Sequence, residues 1–393
     1  MPVMDRLKAI SGSAAIVGVA ESDRFGRTPD RGPMELHAEA GRNALADAGI
    51  DKSEVDGVFT SGGYSTYDIA EYMGIAPHFT DSTSVGGSSF VIHIAHAMAA
   101  IEAGYCEVAL ITYGQTGRSD RARGALNLYG VTPGLPNAQY EAPFGIIGPP
   151  IAYSMAANRY MHQYGEDRTR EAMANVAVST RKWANMNEKA HFYDTPMTFD
   201  EYHDSRWISW PFHLLDCCLV TDGGAAVVIT SAERAKSTRK GGVAILGAAE
   251  GHDHAILHQM PDLTRTWGRN TGPQALEMAG VTHSDLDMAM IYDSFTYTVL
   301  VTLESLGFCG PGESPDFVAN QRTAPGGDFA LNTNGGGLSY AHPGSYGIFT
   351  VLEAVRQLRG ETGERQLDDC KLAMAHGTGG LLSSTGTVVL GRE

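Results

Sequence analysis

The sequence predicts an α/β protein built from two related halves, and three observations carry that reading. Segments repeat in the same order: Ala14 to Glu21, "AAIVGVAE", resembles Val243 to Glu250, "VAILGAAE", and Ala44 to Asp56, "ALADAGIDKSEVD", matches Ala275 to Asp287, "ALEMAGVTHSDLD", without a gap. Two matches in one order at nearly one offset make the halves related. Short apolar, β-rich runs alternate with helical patterns, which implies a mixed or parallel sheet with helices on its faces. Finally, 393 residues with 43 % apolar content suffice for two domains and a large core.

The elements follow in order. "AAIVGVAE" and "VAILGAAE" read as buried strands with glycine at the same place. The second repeated segment reads as a helix stopped by Gly49 or Gly280, then a turn and an acidic lead into another strand. A helix from about 88 to 103 precedes the strand Glu107 to Gly114, and a helix from about 345 to 358 precedes the strand Lys371 to Gly377. The halves therefore span 1–235 and 240–393. The first carries an insertion at about 115–215, rich in Tyr, Met, Trp, Asn and Pro, which reads as a lid, a binding wall or a subunit contact.

Composition excludes several functions. With 45 acidic against 29 basic residues, the net charge of −16 argues against sequence-independent binding of nucleic acid or anionic lipid. A small anionic ligand needs only a local patch. Cys106, Cys217, Cys218, Cys309 and Cys370 form neither a zinc spacing nor a disulfide framework, so no metal site and a reduced, cytoplasmic setting are expected. The start lacks a signal-peptide pattern, and no apolar run reaches the roughly 18 residues of a membrane span.

In such sheets ligands gather beyond the carboxyl ends of strands, at helix N-termini. If the halves pair about a pseudo-twofold axis, the loop Ser84-Val85-Gly86-Gly87 faces its counterpart "NGGGLSYAHPGS", Asn334 to Ser345. "TSVGGSS" reads either as a tight turn with Ser88 as N-cap or as N–H groups that stabilise a developing oxyanion. "YAHPGS" sets His342 before Pro343 in an extended loop, inert or catalytic. "AMAHGTGG" sets His376 at the end of an apolar strand, before glycines that admit a ligand or simply turn the chain. "MIYDSFTYTVLVTLESLGFCG" ends a strand at Tyr292-Asp293 and starts a helix near Ser294, with Asp293 as a cap and Tyr292 as a core aromatic in the plain reading. All four stretches fall at strand exits, where a site is expected.

Taken together, these segments resemble the thiolase superfamily, in particular the thiolase-like proteins related to the sterol carrier protein x thiolase domain and the bacterial lipid-transfer acyl-CoA enzymes. "TDGGAAVVIT" (Thr221 to Thr230) is similar to the family's S-D-G-A-A stretch. "NTNGGGLSYAHPGSYG" (Asn332 to Gly347) resembles its N-x-N-G-G and G-H-P-x-G segment, and "HGTGGLLSSTGTVVL" (His376 to Leu390) its terminal one. The resemblance spans nearly the whole chain. It implies a thiolase fold, two duplicated βαβαβ-type halves in a layered αβαβα arrangement. It places the family's catalytic His on His342, the second acid/base position on His376, and the group that helps hold the thioester oxygen on Tyr292. The nucleophilic Cys falls on Ser84, or on Val85 if the turn shifts by one, and is absent either way. A thiol ionises near pH 8.5 and is readily activated, whereas a serine hydroxyl needs a positioned base.

One branch of the superfamily lacks the Cys and carries a "YDxFT…LGFC" segment very like Tyr292 to Cys309. Its members are aldolases acting on β-hydroxyacyl-CoA thioesters, including those from steroid side chains, with a small OB-fold/zinc-ribbon partner; they place a Tyr where His342 stands. The resemblance therefore implies retro-aldol cleavage of a 3-hydroxyacyl-CoA. Tyr292 and His342 share the proton transfer, and His376 orients the thioester or returns the proton to Cα. Backbone groups at Ser84, Val85, Gly86, Thr378 and Gly379 form the oxyanion hole. Acyl transfer through Ser84, and a non-catalytic acyl-CoA or sterol binder, are the alternatives. Coenzyme A enters as the substrate thioester, no cofactor is expected, and a homodimer pairing first-half sheets edge to edge is implied.

Overall fold

The repeated segments fold into equivalent elements. The computed structural model describes residues 2–123 and 134–392, so residues 124–133 of the predicted insertion lie outside the described residues. Ten strands form one mixed sheet: β1 (Ala14–Glu21), β2 (Gly57–Thr60), β3 (Phe79–Asp81), β4 (Val108–Gln115), β5 (Gly223–Ser231), β6 (Val243–His252), β7 (Met288–Ile291), β8 (Ala330–Leu331), β9 (Leu372–Gly379) and β10 (Ser384–Gly391). Outward from the middle, one half runs β1, β5, β4, β2, β3 and the other β6, β10, β9, β7, β8, so each strand has a counterpart five places later in the chain. β1 and β6 join the halves antiparallel through Ala15–Ala244 and Ile16–Val243.

The described helices of eight or more residues are α1 (Pro33–Ala48), α2 (Thr66–Met73), α3 (Ser89–Glu102), α4 (Pro149–Tyr164), α5 (Glu166–Ala184), α6 (Gly268–Ala279), α7 (Thr296–Leu306) and α8 (Gly347–Arg359). Gly49 and Gly280 close α1 and α6 in the left-handed conformation, φ 72° and 70°, a backbone shape that costs glycine nothing. α1 covers one half-sheet from outside and α6 the other, while α3 and α8 lie between and touch strands of both halves. Phe90, Val91 and Ile94 of α3 meet Ile348, Phe349 and Leu352 of α8 in one buried cluster. Each such side chain contributes about 1.5–3 kcal/mol of transfer free energy. This is the αβαβα layering that the family resemblance implies. No described helix is long and apolar enough to cross a membrane.

The start of the middle-layer helix differs from expectation in detail. A 3₁₀ turn covers Gly86–Ser88 and α3 begins at Ser89. Ser89, not Ser88, satisfies the open end: its Oγ accepts from Val85 N–H (2.9 Å) and donates to the Gly86 carbonyl (2.7 Å). The Ser88 hydroxyl turns instead to Ser384 (3.0 Å) and the Val85 carbonyl (3.1 Å).

His96, on α3, ties the halves together: Nδ1 meets Asp81 of β3 at 2.5 Å and Nε2 meets Glu250 of β6 at 3.0 Å. These bonds, the one to Asp81 foremost, raise its pKa to about 10. The folded value lies above the unfolded one near 6.5, so the contribution to stability is complete below about pH 6.5 and is lost as pH rises through 10. His96→Gln is expected to lower the thermal midpoint at pH 6 and to match wild type above pH 10. Equal midpoints at pH 6 would remove this clamp from the account.

Candidate active site

Tyr292 follows β7 directly, and its N–H donates to the His376 carbonyl (3.0 Å), which extends the pairing with β9 past the strand end. Its buried ring lies against Gly87 at the α3 N-terminus, and its hydroxyl meets His342 Nε2 at 2.7 Å.

His342 is held by the chain around it. It follows a π-helical turn at Gly336–Tyr340, and Asp293 pins that turn by accepting the N–H groups of Gly337 (2.6 Å) and Leu338 (3.2 Å). An Asp293 oxygen stands 2.0 Å from where a Gly336 side chain would begin, so only glycine fits there. Thr221 brackets His342, donating its N–H to the His342 carbonyl (3.2 Å) and accepting the His342 N–H at Oγ1 (3.1 Å). From α5, Arg181 Nε donates to Ser339 Oγ (2.9 Å). The Tyr340 hydroxyl donates to Glu21 (2.8 Å), a buried carboxylate paired with Arg356. The dipeptide Tyr292-Asp293 thus supplies one member of the pair and holds the loop carrying the other.

Burial sets the protonation states. It pushes the Tyr292 hydroxyl well above its usual value, with Cys218 nearby adding to the effect. It pushes His342 down to about 4, and Arg121 acts in the same direction. His342 is therefore a neutral imidazole at physiological pH. With the phenol protonated and the imidazole neutral, the bond runs from the Tyr292 hydroxyl to Nε2 in the tautomer that carries its hydrogen on Nδ1. Burial raises Asp293 to about 7, against the opposing effect of its two backbone donors.

A cavity of about 590 Å³ opens beside the pair. Tyr292, His342, Gly86, Gly87, Thr378, Gly379 and Gly380 meet there with an apolar wall that includes Tyr153, Ile208, Leu214, Leu219, Ile256, Phe295 and Leu381. The exposed Arg121 and Arg206 also line it. Much of the wall comes from the insertion, which no periodicity in the sequence resolved. Tyr153 packs on Phe295 at 4.7 Å between ring centres, and its hydroxyl donates to the Gly380 carbonyl (3.3 Å). Cys217 and Cys218 line the cavity too; burial holds the Cys218 thiol at about 12 and Cys217 higher still, so neither is a ready thiolate. Among the described residues no group of His, Cys, Asp and Glu has the arrangement of a metal site.

Of the residues singled out from the sequence, Tyr292, His342, Gly86, Thr378 and Gly379 come together here. Ser84, Val85 and His376 are not on the cavity wall. Ser84 is exposed, its hydroxyl hydrogen-bonded to Ser61 at 3.1 Å. Val85 cannot offer its N–H to an oxyanion, because Ser89 Oγ already accepts it. His376 sits two residues deeper along β9 than Thr378, about 7 Å back from it. Fully buried, it bonds Thr387 of β10 through Nδ1 at 2.8 Å. Cys309 is also off the wall, its thiol pushed up to about 12 by burial. Gly87 was legible as part of the turn facing the second-half loop, whereas Tyr153, Arg121, Arg206 and the cysteine pair were not. For Asp293 the signal was present, since it adjoins Tyr292, but a capping role explained it equally well.

Comparison with known proteins agrees with the fold. Residues 249–392 match the family described as Thiolase C-terminal domain-like. A steroid side-chain-cleaving aldolase of Thermomonospora curvata is 36% identical over 386 residues, 95% of this chain and 97% of the relative. A 17-hydroxy-3-oxo-4-pregnene-20-carboxyl-CoA lyase of Mycobacterium tuberculosis is 36% identical over 363 residues, 89% of this chain and 92% of the relative. A solved Ltp2-ChsH2(DUF35) aldolase superimposes with a TM-score of 0.87 at 34% identity, covering 98% of each chain. With its duplicated halves, its shared middle layer and relatives of this similarity over nearly their full length, the chain belongs to the thiolase-like superfamily.

Proposed function

We propose that this protein breaks, or in reverse forms, the Cα–Cβ bond of a 3-hydroxyacyl-CoA thioester by non-covalent retro-aldol chemistry. The observation that carries the reading is the 2.7 Å Tyr292–His342 pair, facing an acyl-sized cavity beside a turn that carries no cysteine. The Tyr292 oxygen accepts the β-hydroxyl proton while its own proton passes to His342 Nε2. The Cα–Cβ electron pair moves into the thioester as an enolate, the β-carbon leaves as a ketone or aldehyde, and protonation at Cα releases the shortened acyl-CoA. Gly86, Gly87, Gly379 and Gly380 line the cavity, and their backbone N–H groups are the donors this reading assigns to the enolate oxygen, one such donor being worth about 3 kcal/mol. The developing enolate also offsets the desolvation that disfavours an imidazolium at His342. Every proton and electron pair is accounted for by substrate and side chains, so the reading calls on no cofactor.

The apolar wall suits a bulky acyl group and the two arginines suit coenzyme A phosphates. The steroid-directed names of the relatives support a polycyclic acyl class. The second protein in the solved aldolase supports a partner, which we take to be of OB-fold/zinc-ribbon type. A homodimer fits the edge strand β3 with Tyr105 exposed beside it, and a monomer by light scattering would remove it. Five unpaired cysteines fit a reducing cytoplasm.

The test is incubation with 3-hydroxyacyl-CoA and 3-ketoacyl-CoA panels. Release of ketone or aldehyde with a shortened acyl-CoA, and an unchanged intact protein mass, are expected. A stable acyl mass on Ser84 would instead make this an acyltransferase, and binding without turnover of any thioester would make it a carrier.

A further inference from the structure

Gly87 combines an ordinary backbone with extreme crowding. A Cβ there would lie 2.0 Å from Cε1 and 2.9 Å from Cδ1 of Tyr292, and 2.8 Å from the Thr378 carbonyl oxygen. Its φ is not in the left-handed range, so a side chain is excluded by space alone. The backbone around it has no room to retreat. Gly347, which opens α8, brings its own missing Cβ position to 2.1 Å from the Gly87 carbonyl oxygen. The Gly377 position stands 2.9 Å from Ser88 Cα, and the Gly379 position 1.8 Å from the Val85 carbonyl oxygen. Three close backbone approaches therefore clamp residues 85–88, so a methyl at 87 displaces chiefly the Tyr292 ring at 2.0 Å, with a smaller clash at the Thr378 carbonyl.

We infer that Gly87 is a positioning residue: its missing side chain is the space in which Tyr292 stands to reach His342. Resting on the proposed proton-transfer role of that pair, the inference adds that this helix start cannot carry a side chain at position 87 and keep the pair together. The same turn is thereby committed to acid/base chemistry by an aromatic hydroxyl.

The test is a double-mutant cycle between Gly87 and Tyr292, with Gly63→Ala as the control, since a methyl there meets nothing within 4 Å. Gly87→Ala is expected to lower kcat on a cleavable 3-hydroxyacyl-CoA about 100-fold, the scale of a lost proton-transfer group, with KM changed less than about threefold. It is also expected to lower the thermal midpoint, and the loss should shrink when Tyr292→Ala is present to receive the methyl. If Gly87→Ala alone fails to fold, recovery of a folded Gly87→Ala/Tyr292→Ala protein supports the inference, and failure of that double variant overturns it. Wild-type kcat in Gly87→Ala, or midpoint losses that simply add, also overturn it. Should Tyr292→Phe keep full turnover, the catalytic reading fails instead, while the thermal coupling still judges Gly87.

Discussion

Tyr292→Phe is expected to lower kcat about 10²- to 10⁴-fold, the range for a lost general acid/base group. The fold and KM should change little. The substitution removes one oxygen from a ring that still fills the space beside Gly87, so packing is kept while the 2.7 Å bond to His342 is lost. Burial holds His342 near 4 and the tyrosine well above its usual value, so the active pair is a neutral imidazole and an intact phenol. His342 should therefore contribute no limb near the ordinary histidine value of about 6.5, and one only as pH falls through about 4, while Asp293, at about 7, is the other group able to bend the profile. A pH–rate profile measured alongside Tyr292→Phe checks both statements. Full turnover in the variant, or a limb near 6.5 that persists in Asp293→Asn, would remove the pair from the mechanism.

Asp293→Asn is expected to lower kcat about 10²-fold, although its side chain touches no substrate. The carboxylate accepts two N–H groups from the turn that leads to His342. An amide can accept one of them but sets a donor against the other, leaving a buried group unpaired. Displacing a catalytic group by about 1 Å costs roughly this factor. The stability profile separates this positioning role from general damage. Burial raises Asp293 to about 7, above the ordinary carboxyl value, so folding favours the uncharged acid. The group's contribution to stability is full below about pH 4 and is lost as pH rises through 7. Asn cannot titrate, so the thermal midpoint of the variant should lose that slope between pH 4 and 7. An unchanged slope would place the titration elsewhere.

How much of the site was legible depends on what each residue's role requires. His342 and Tyr292 were visible because they adjoin chain signals, a following proline and a strand end. Gly379 was visible as part of a glycine run. Asp293 was visible only as a cap, since its donors Gly337 and Leu338 lie 44 and 45 residues away. His376 shows the opposite limit. A histidine at a strand end looks available, but whether it reaches a cavity depends on how far the strand runs on, and β9 continues to Gly379. Tyr153 lies in an insertion without a repeat, and nothing local marks it as the ring that meets Phe295.

The sequence by itself determined the duplicated α/β halves, their equivalent strands and the absence of a cysteine at the opening turn, because repetition and periodicity are local properties of the chain. Only the tertiary structure decided what packs against that turn. Glycines clamp the turn Ser84-Val85-Gly86-Gly87 from one side and Tyr292 fills the space on the other, a fit between segments more than 200 residues apart. Such a fit is a matter of excluded volume, and excluded volume exists only once both halves have closed around the middle helices.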